Sequence, residues 1–197
     1  PLLWKDGWPH AGDRFKEGTY EIESERRGYA LELAVDFIRM KQERQAWFNI
    51  NPDAPVTPMA SQTLAEVEGT WPKGNIPARL GDYMFRPHQR WAITAVPEAG
   101  GYLSNPYFKI TIEGTERALA ATTEMEVGTV PKFTGGDEQL WRIEQLTDGT
   151  FRIMPKRIPG QKALNTKYVL YSAGDSTPTL AEYDFKSDNS KWNFRNH

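Results

Sequence analysis

The residues best suited to chemistry are thinly spread along this chain. Its three histidines, His10, His88 and His197, show neither metal-ligand spacing nor a Ser-His-Asp arrangement. There is no cysteine, which excludes a disulfide framework, a thiolate zinc site and a cysteine nucleophile. Among 26 acidic residues some pair will stand 5 to 10 Å apart by chance, roughly the separation that glycoside hydrolysis needs. That signal is empty. What remains is the chemistry of recognition, in which hydroxyl, amide and carboxylate groups fix orientation and aromatic planes supply apolar surface.

The elements that must position such groups repeat three times. Each unit opens on an aromatic strand, Gly18-Thr19-Tyr20-Glu21-Ile22, Pro106-Tyr107-Phe108-Lys109-Ile110 and Gly149-Thr150-Phe151-Arg152-Ile153. Each carries an Ala-Leu pair, at Ala30-Leu31, Ala118-Leu119 and Ala163-Leu164. Each closes on a Trp, in Gln89-Arg90-Trp91, Gln139-Leu140-Trp141 and Ser190-Lys191-Trp192. Aromatic to Ala counts 10, 10 and 12 residues. Apolar residues alternate along the strands, the period of β-structure. A repeated unit that cannot bury its own apolar face must stack on its copies, so one closed, pseudo-symmetric domain is expected.

These motifs resemble the ricin-type β-trefoil, carbohydrate-binding module family 13, over about residues 15–197. The resemblance implies an all-β trefoil with internal repeats near 15–97, 98–146 and 147–197, the first carrying a long insertion. It also implies binding of oligosaccharide or polysaccharide without catalysis, no cofactor or metal, and work at an extracellular, cell-surface or periplasmic location. In the family the polar sugar-binding residue lies two places after a Cys, here replaced by Ala. An aromatic follows on the next strand, and an amide sits three before the closing Trp.

Carried over, the third unit supplies Asn165, Tyr183 and Asn189, with Asp184 or Asp188 nearby. The first supplies Glu32 and His88, with the aromatic either Phe48, by matching 46–50 to 181–185, or Trp47, by the family's Gln-x-Trp pattern. The second has Ala120 at the polar position and Phe133 as its aromatic, so a dead middle site is expected. Structural roles stand beside these readings. The two Asn suit turns, Tyr183 suits a half-buried sheet face, and alternation alone turns Glu32 outward. The closing Trp residues belong to the core.

Tyr20 to Trp91 spans 71 residues against 33 and 41 in the other units, an excess of about thirty. Five prolines fall in 51–80, which reads as a surface excursion between the third strand and the closing Trp. Residues 59–67 suit a short helix or a strand, and Trp71 suits a wall of a sugar site or an anchor for a neighbouring domain.

The opening Pro1-Leu2-Leu3-Trp4-Lys5-Asp6-Gly7-Trp8-Pro9 resembles the last stretch of the five-bladed propeller of glycoside hydrolase family 43. It implies that residues 1–14 are a linker or the closing segment of a preceding catalytic domain, that the chain is part of something longer, and that an arabinan- or xylan-degrading enzyme is the parent. Net charge is −2 with no basic block, so no nucleic-acid footprint is expected. No apolar run is long enough to span a bilayer as a helix. The alternative function is a structural trefoil that has lost its sugar sites and packs on a protein.

Overall fold

The computed structural model describes residues 2–5, 8–11, 15–35, 64–102, 105–174 and 176–196. Strands β1 (Leu2–Lys5) and β2 (Trp8–Ala11) form an antiparallel hairpin in a sheet of their own. The rest is a β-trefoil. Its first unit holds β3 (Gly18–Ser24), β4 (Ala30–Leu33), helix α1 (Leu64–Glu68), β5 (Ile76–Gly81) and β6 (Trp91–Tyr102). The second holds β7 (Asn105–Ile112), β8 (Ala118–Ala121), β9 (Val127–Val130) and β10 (Trp141–Gln145). The third holds β11 (Phe151–Pro155), β12 (Tyr168–Ser172), β13 (Pro178–Glu182) and β14 (Trp192–Asn196).

Six strands, β3, β6, β7, β10, β11 and β14, pair in a ring and leave the barrel without an open edge. The register repeats with the sequence. Within the units Tyr20 pairs with Trp91, Phe108 with Trp141 and Phe151 with Trp192. Between units each Trp pairs with the residue four beyond the next aromatic: Trp91 with Ile112, Trp141 with Pro155, Trp192 with Ser24. Three hairpins, β4–β5, β8–β9 and β12–β13, cap the barrel. They interlock through Ile76 with Thr129, Glu126 with Thr179, and Leu80 N–H donating to the Ser176 carbonyl at 2.9 Å.

All three closing Trp residues are fully buried with Ile22, Ile110 and Ile153. Removing each such apolar side chain from water stabilises the fold by about 1.5–3 kcal/mol. Each indole N–H also needs an acceptor. Trp91 donates to the Leu31 carbonyl at 2.8 Å, Trp141 to Leu119 at 3.0 Å and Trp192 to Leu170 at 2.8 Å.

That last bond corrects the expected repeat. The counterpart of Ala30-Leu31 in the third unit is Val169-Leu170, both fully buried, whereas Leu164 is 49% exposed. The spacing from Phe151 is therefore 18 residues rather than 12. The first unit needs a similar correction, because the strand paired with β4 is β5 at Ile76–Gly81, not 46–50. The insertion thus lies between the second and third strands of the unit, not after the third. Residues 36–63, including Trp47 and Phe48, lie outside the described residues.

The returning part of the insertion is no loose excursion. Leu64, at the start of α1, packs where a Cβ on Gly114 would come within 2.3 Å of it, and Gly114 also takes a left-handed φ of +74°. Trp71 is 5% exposed within the core, so it is neither a sugar wall nor a docking anchor. Buried Arg117 donates to the carbonyls of Pro72 at 2.9 Å and Gly74 at 2.8 Å.

Candidate functional site

The indole–carbonyl bonds fix which residues are equivalent. The residue after each accepting Leu is Glu32, Ala120 or Tyr171, and the residue before each Gln or Ser of the closing motif is His88, Glu138 or Asn189. A 3-10 turn in each unit places the second set, at Pro87–Gln89, Asp137–Gln139 and Asp188–Ser190. Gln89 and Gln139 hold these turns by accepting from Met84 N–H at 2.8 Å and Thr134 N–H at 2.7 Å. Ser190 does so by donating to the Asp184 carbonyl at 2.9 Å. In the first and third units the two positions meet through a hydrogen bond.

In the first unit His88 Nε2 meets Glu32 at 3.2 Å, Gln89 donates to the same oxygen at 2.6 Å, and Arg79 Nε donates to the other at 2.6 Å. Glu32 is buried rather than turned outward, because β4 is covered on both faces. Burial pushes its pKa up, and the hydrogen bonds and charges of His88 and Arg79 outweigh this, holding it below the ordinary carboxylate range. Both carboxylate oxygens are engaged within the fold.

In the third unit the equivalent pair is half-buried. Asn189 Nδ2 donates to the Tyr171 hydroxyl at 2.9 Å, and the Asn189 carbonyl accepts from Ser172 Oγ at 3.2 Å. Asn165 does not join them. Its Nδ2 donates to the carbonyls of Pro155 at 2.9 Å and Tyr168 at 2.7 Å, and its Oδ1 accepts from the N–H groups of Lys167 at 3.2 Å and Tyr168 at 2.9 Å. An amide has two donors and two acceptor lone pairs, so its capacity is filled by the turn. The place that Glu32 holds in the first unit is held in the third by Tyr171.

Tyr183 lies beyond the end of β13, half-buried, with the Arg152 guanidinium 4.9 Å from its ring centre. Counting from Leu80 and Leu180, which hold the same cross-strand place opposite Leu31 and Leu170, its counterpart is Tyr83. Burial pushes the Tyr83 phenol up, as do the charges of Glu21 and Glu113 against Arg90. A recurring Tyr-x-Phe, in Tyr83-Met84-Phe85 and Tyr183-Asp184-Phe185, is the sequence signal for Tyr83. In the second unit Ala120 offers no polar side chain, and Phe133 packs against Val96, Tyr107 and Leu140. The strands that follow the polar positions, IPARLG, VGTV and PTLAE, carry no aromatic residue.

Among the described residues no group of three or more His, Asp or Glu could hold a metal ion, and no helix is long and apolar enough to cross a membrane.

No protein-family model matches the sequence, and no curated protein matches it. The fold is nevertheless shared with solved structures. Part of a mosquitocidal holotoxin superposes with a TM-score of 0.61 at 13% identity, over 93% of this chain and 18% of that one. The Rhizoctonia solani agglutinin does so with 0.53 at 16%, over 95% and 100%. An exo-β-1,3-galactanase from Clostridium thermocellum does so with 0.54 at 15%, over 95% and 32%. The chain therefore spans under a third of the holotoxin and of the galactanase. At such identities the likeness establishes the β-trefoil.

Proposed function

We propose that the chain is a carbohydrate-binding module, itself non-catalytic, that holds a parent glycoside hydrolase on plant polysaccharide such as arabinan or xylan outside the cytoplasm. The Tyr171–Asn189 pair carries this reading. It occupies the polar and amide positions of the ricin-type arrangement and remains half-exposed, with a hydroxyl, an amide and an aromatic ring in one place. A tyrosine there offers both apolar surface and a hydrogen-bonding tip. The parent hydrolase is supported by the opening segment's resemblance to a family 43 propeller. The likeness to a galactanase supports adding β-1,3-galactan to the candidate ligands.

Calorimetric titration with arabinan, xylan and galactan oligosaccharides tests the reading, with Asn189→Ala and Tyr171→Ala alongside. Binding to one oligosaccharide class that weakens about tenfold or more in either variant is the expected result. A second reading, a structural trefoil packed on another protein, is favoured by the internal use of Glu32 and by the absence of aromatics on β5, β9 and β13. Absence of heat with every oligosaccharide would select it.

A further inference from the structure

Two serines beside the third unit occupy buried places that the other units fill with apolar side chains. Ser24, on β3, pairs with Trp192, where Ile112 pairs with Trp91 and Pro155 with Trp141. Ser172, two residues beyond the accepting Leu170, stands where the first unit has Leu33 and the second Ala121. All six residues are buried. Packing at these places is met elsewhere by hydrocarbon alone, and a hydroxyl buried there costs free energy unless it is bonded.

Both hydroxyls are bonded, and the chain they form ends at the candidate site. Ser172 Oγ lies 3.2 Å from the Asn189 carbonyl, which can only accept, so Ser172 is the donor. Its own oxygen then accepts from Ser24 Oγ at 3.0 Å. A further serine holds the Asn189 N–H, which donates to Ser187 Oγ at 3.3 Å. With both of its main-chain groups held by serines, Asn189 has its Cα–Cβ direction set, and its Nδ2 meets the Tyr171 hydroxyl at 2.9 Å.

The closing residue of each unit shows why such a relay matters here. In the first unit Gln89 reaches from its turn to the polar position and donates to Glu32 at 2.6 Å. Ser190, its counterpart, is too short for that reach, and its hydroxyl meets the carbonyls of Asp184 at 2.9 Å and Ser187 at 3.0 Å. Tyr171 is therefore not engaged by the closing residue as Glu32 is.

We infer that Ser172 is a positioning residue for the Tyr171–Asn189 pair and that Ser24 of the first unit orients Ser172, so the third-unit sugar site is built across the boundary between two units. This deepens the carbohydrate-binding reading and rests on it. The two serines touch no ligand themselves. They hold Asn189 against Tyr171 before a sugar arrives, so the Tyr171 O–H and the remaining amide groups of Asn189 are already aimed and less freedom is lost on binding.

The test compares wild type with Ser172→Ala, Ser24→Ala/Ser172→Ala and Asn189→Ala. Three readings are taken: melting temperature, the NMR shifts of the Asn189 side-chain amide, and calorimetric titration with arabinan, xylan and β-1,3-galactan oligosaccharides. Replacing both members of a buried hydrogen-bonded pair by apolar groups is close to neutral for stability, and the half-buried Asn189 carbonyl can turn to water. The double variant should therefore melt near wild type, yet move the Asn189 amide shifts toward those of an exposed Asn and bind sugar about fivefold or more weakly. Ser172→Ala alone should show the same loss of affinity. A folded double variant with wild-type affinity would overturn the relay, as would weakened binding with unmoved Asn189 shifts. Absence of binding by wild type would overturn the carbohydrate reading and this proposal with it, and it is told apart from failure of the relay because there wild type still binds.

Discussion

Trp192 donates its indole N–H to the carbonyl of Leu170, not to a residue of the Ala163-Leu164 pair that looks like its motif partner. The bond sets a sharp contrast between two leucines six residues apart. Leu170 is fully buried, so Leu170→Ala removes core packing and leaves a cavity, at a cost of about 2–5 kcal/mol. Leu164 is exposed, and Leu164→Ala should change stability by about 0.5 kcal/mol or less. Urea denaturation of the two variants checks this directly. Equal destabilisation would mean that the third unit follows the sequence motif after all.

The contrast also explains what was legible in the sequence. The barrel could be read because each closing Trp and each opening aromatic serve the same packing role three times over, and burial punishes variation at those places. The cap was legible at Ala30-Leu31 and Ala118-Leu119 but not at β5 and β12, because the loops before these two strands differ in length among the units and a loop absorbs insertions at little cost. Ala163-Leu164 is a chance likeness inside such a loop. The place that Glu32 holds in the first unit therefore falls on Tyr171 rather than Asn165, while Asn189 keeps the place that the 3-10 turn common to the three units gives it.

Asn165 and Asn189 should therefore separate by experiment. Asn165→Ala deprives two buried or half-buried carbonyls and two N–H groups of partners, which should cost about 2–3 kcal/mol and leave the affinity of the folded protein for sugar unchanged. Asn189→Ala removes one bond to Tyr171 and should cost about 1 kcal/mol while weakening sugar binding. Thermal denaturation paired with calorimetric titration distinguishes the two. Loss of binding in a folded Asn165→Ala protein would restore Asn165 to the site.

The Glu32 cluster makes stability depend on pH in a definite direction. Its folded pKa lies below its ordinary value of 4.5, so the ionised form is the one the fold prefers. That contribution is fully present above the unfolded pKa and is lost as pH falls through the lower, folded value. Below about pH 5 the stability difference between wild type and Glu32→Gln should shrink as the solution is acidified. Glu32→Ala should be worse than Glu32→Gln at pH 7, by about 1–3 kcal/mol, because it removes the side-chain oxygens that Arg79 Nε, His88 Nε2 and Gln89 Nε2 meet. Melting temperatures across a pH series test both statements. A gap that widened on acidification would reverse the sign.

Phe15 packs against all three opening aromatics, with ring centres 5.3 Å from Tyr20, 5.5 Å from Phe108 and 5.7 Å from Phe151. Only a position on the pseudo-three-fold axis touches three equivalent residues so evenly, so the segment just before β3 fills the centre of the barrel's symmetry. Phe194, 4.6 Å away, completes the cluster. Neighbouring contacts fix the segment, since the Tyr20 hydroxyl donates to the Lys16 carbonyl at 2.8 Å and Glu17 accepts from Ala95 N–H at 3.0 Å. The ring is half-buried, so Phe15→Ala should cost somewhat less than a fully buried Phe, about 2–3 kcal/mol, and Phe15→Leu about half that. The same loss should follow deletion of residues 1–15, whereas deletion of 1–11 should leave the midpoint of urea unfolding near wild type if β1 and β2 contribute nothing to the barrel. A large loss on the shorter deletion would show that the hairpin packs on the trefoil and belongs to its stable unit.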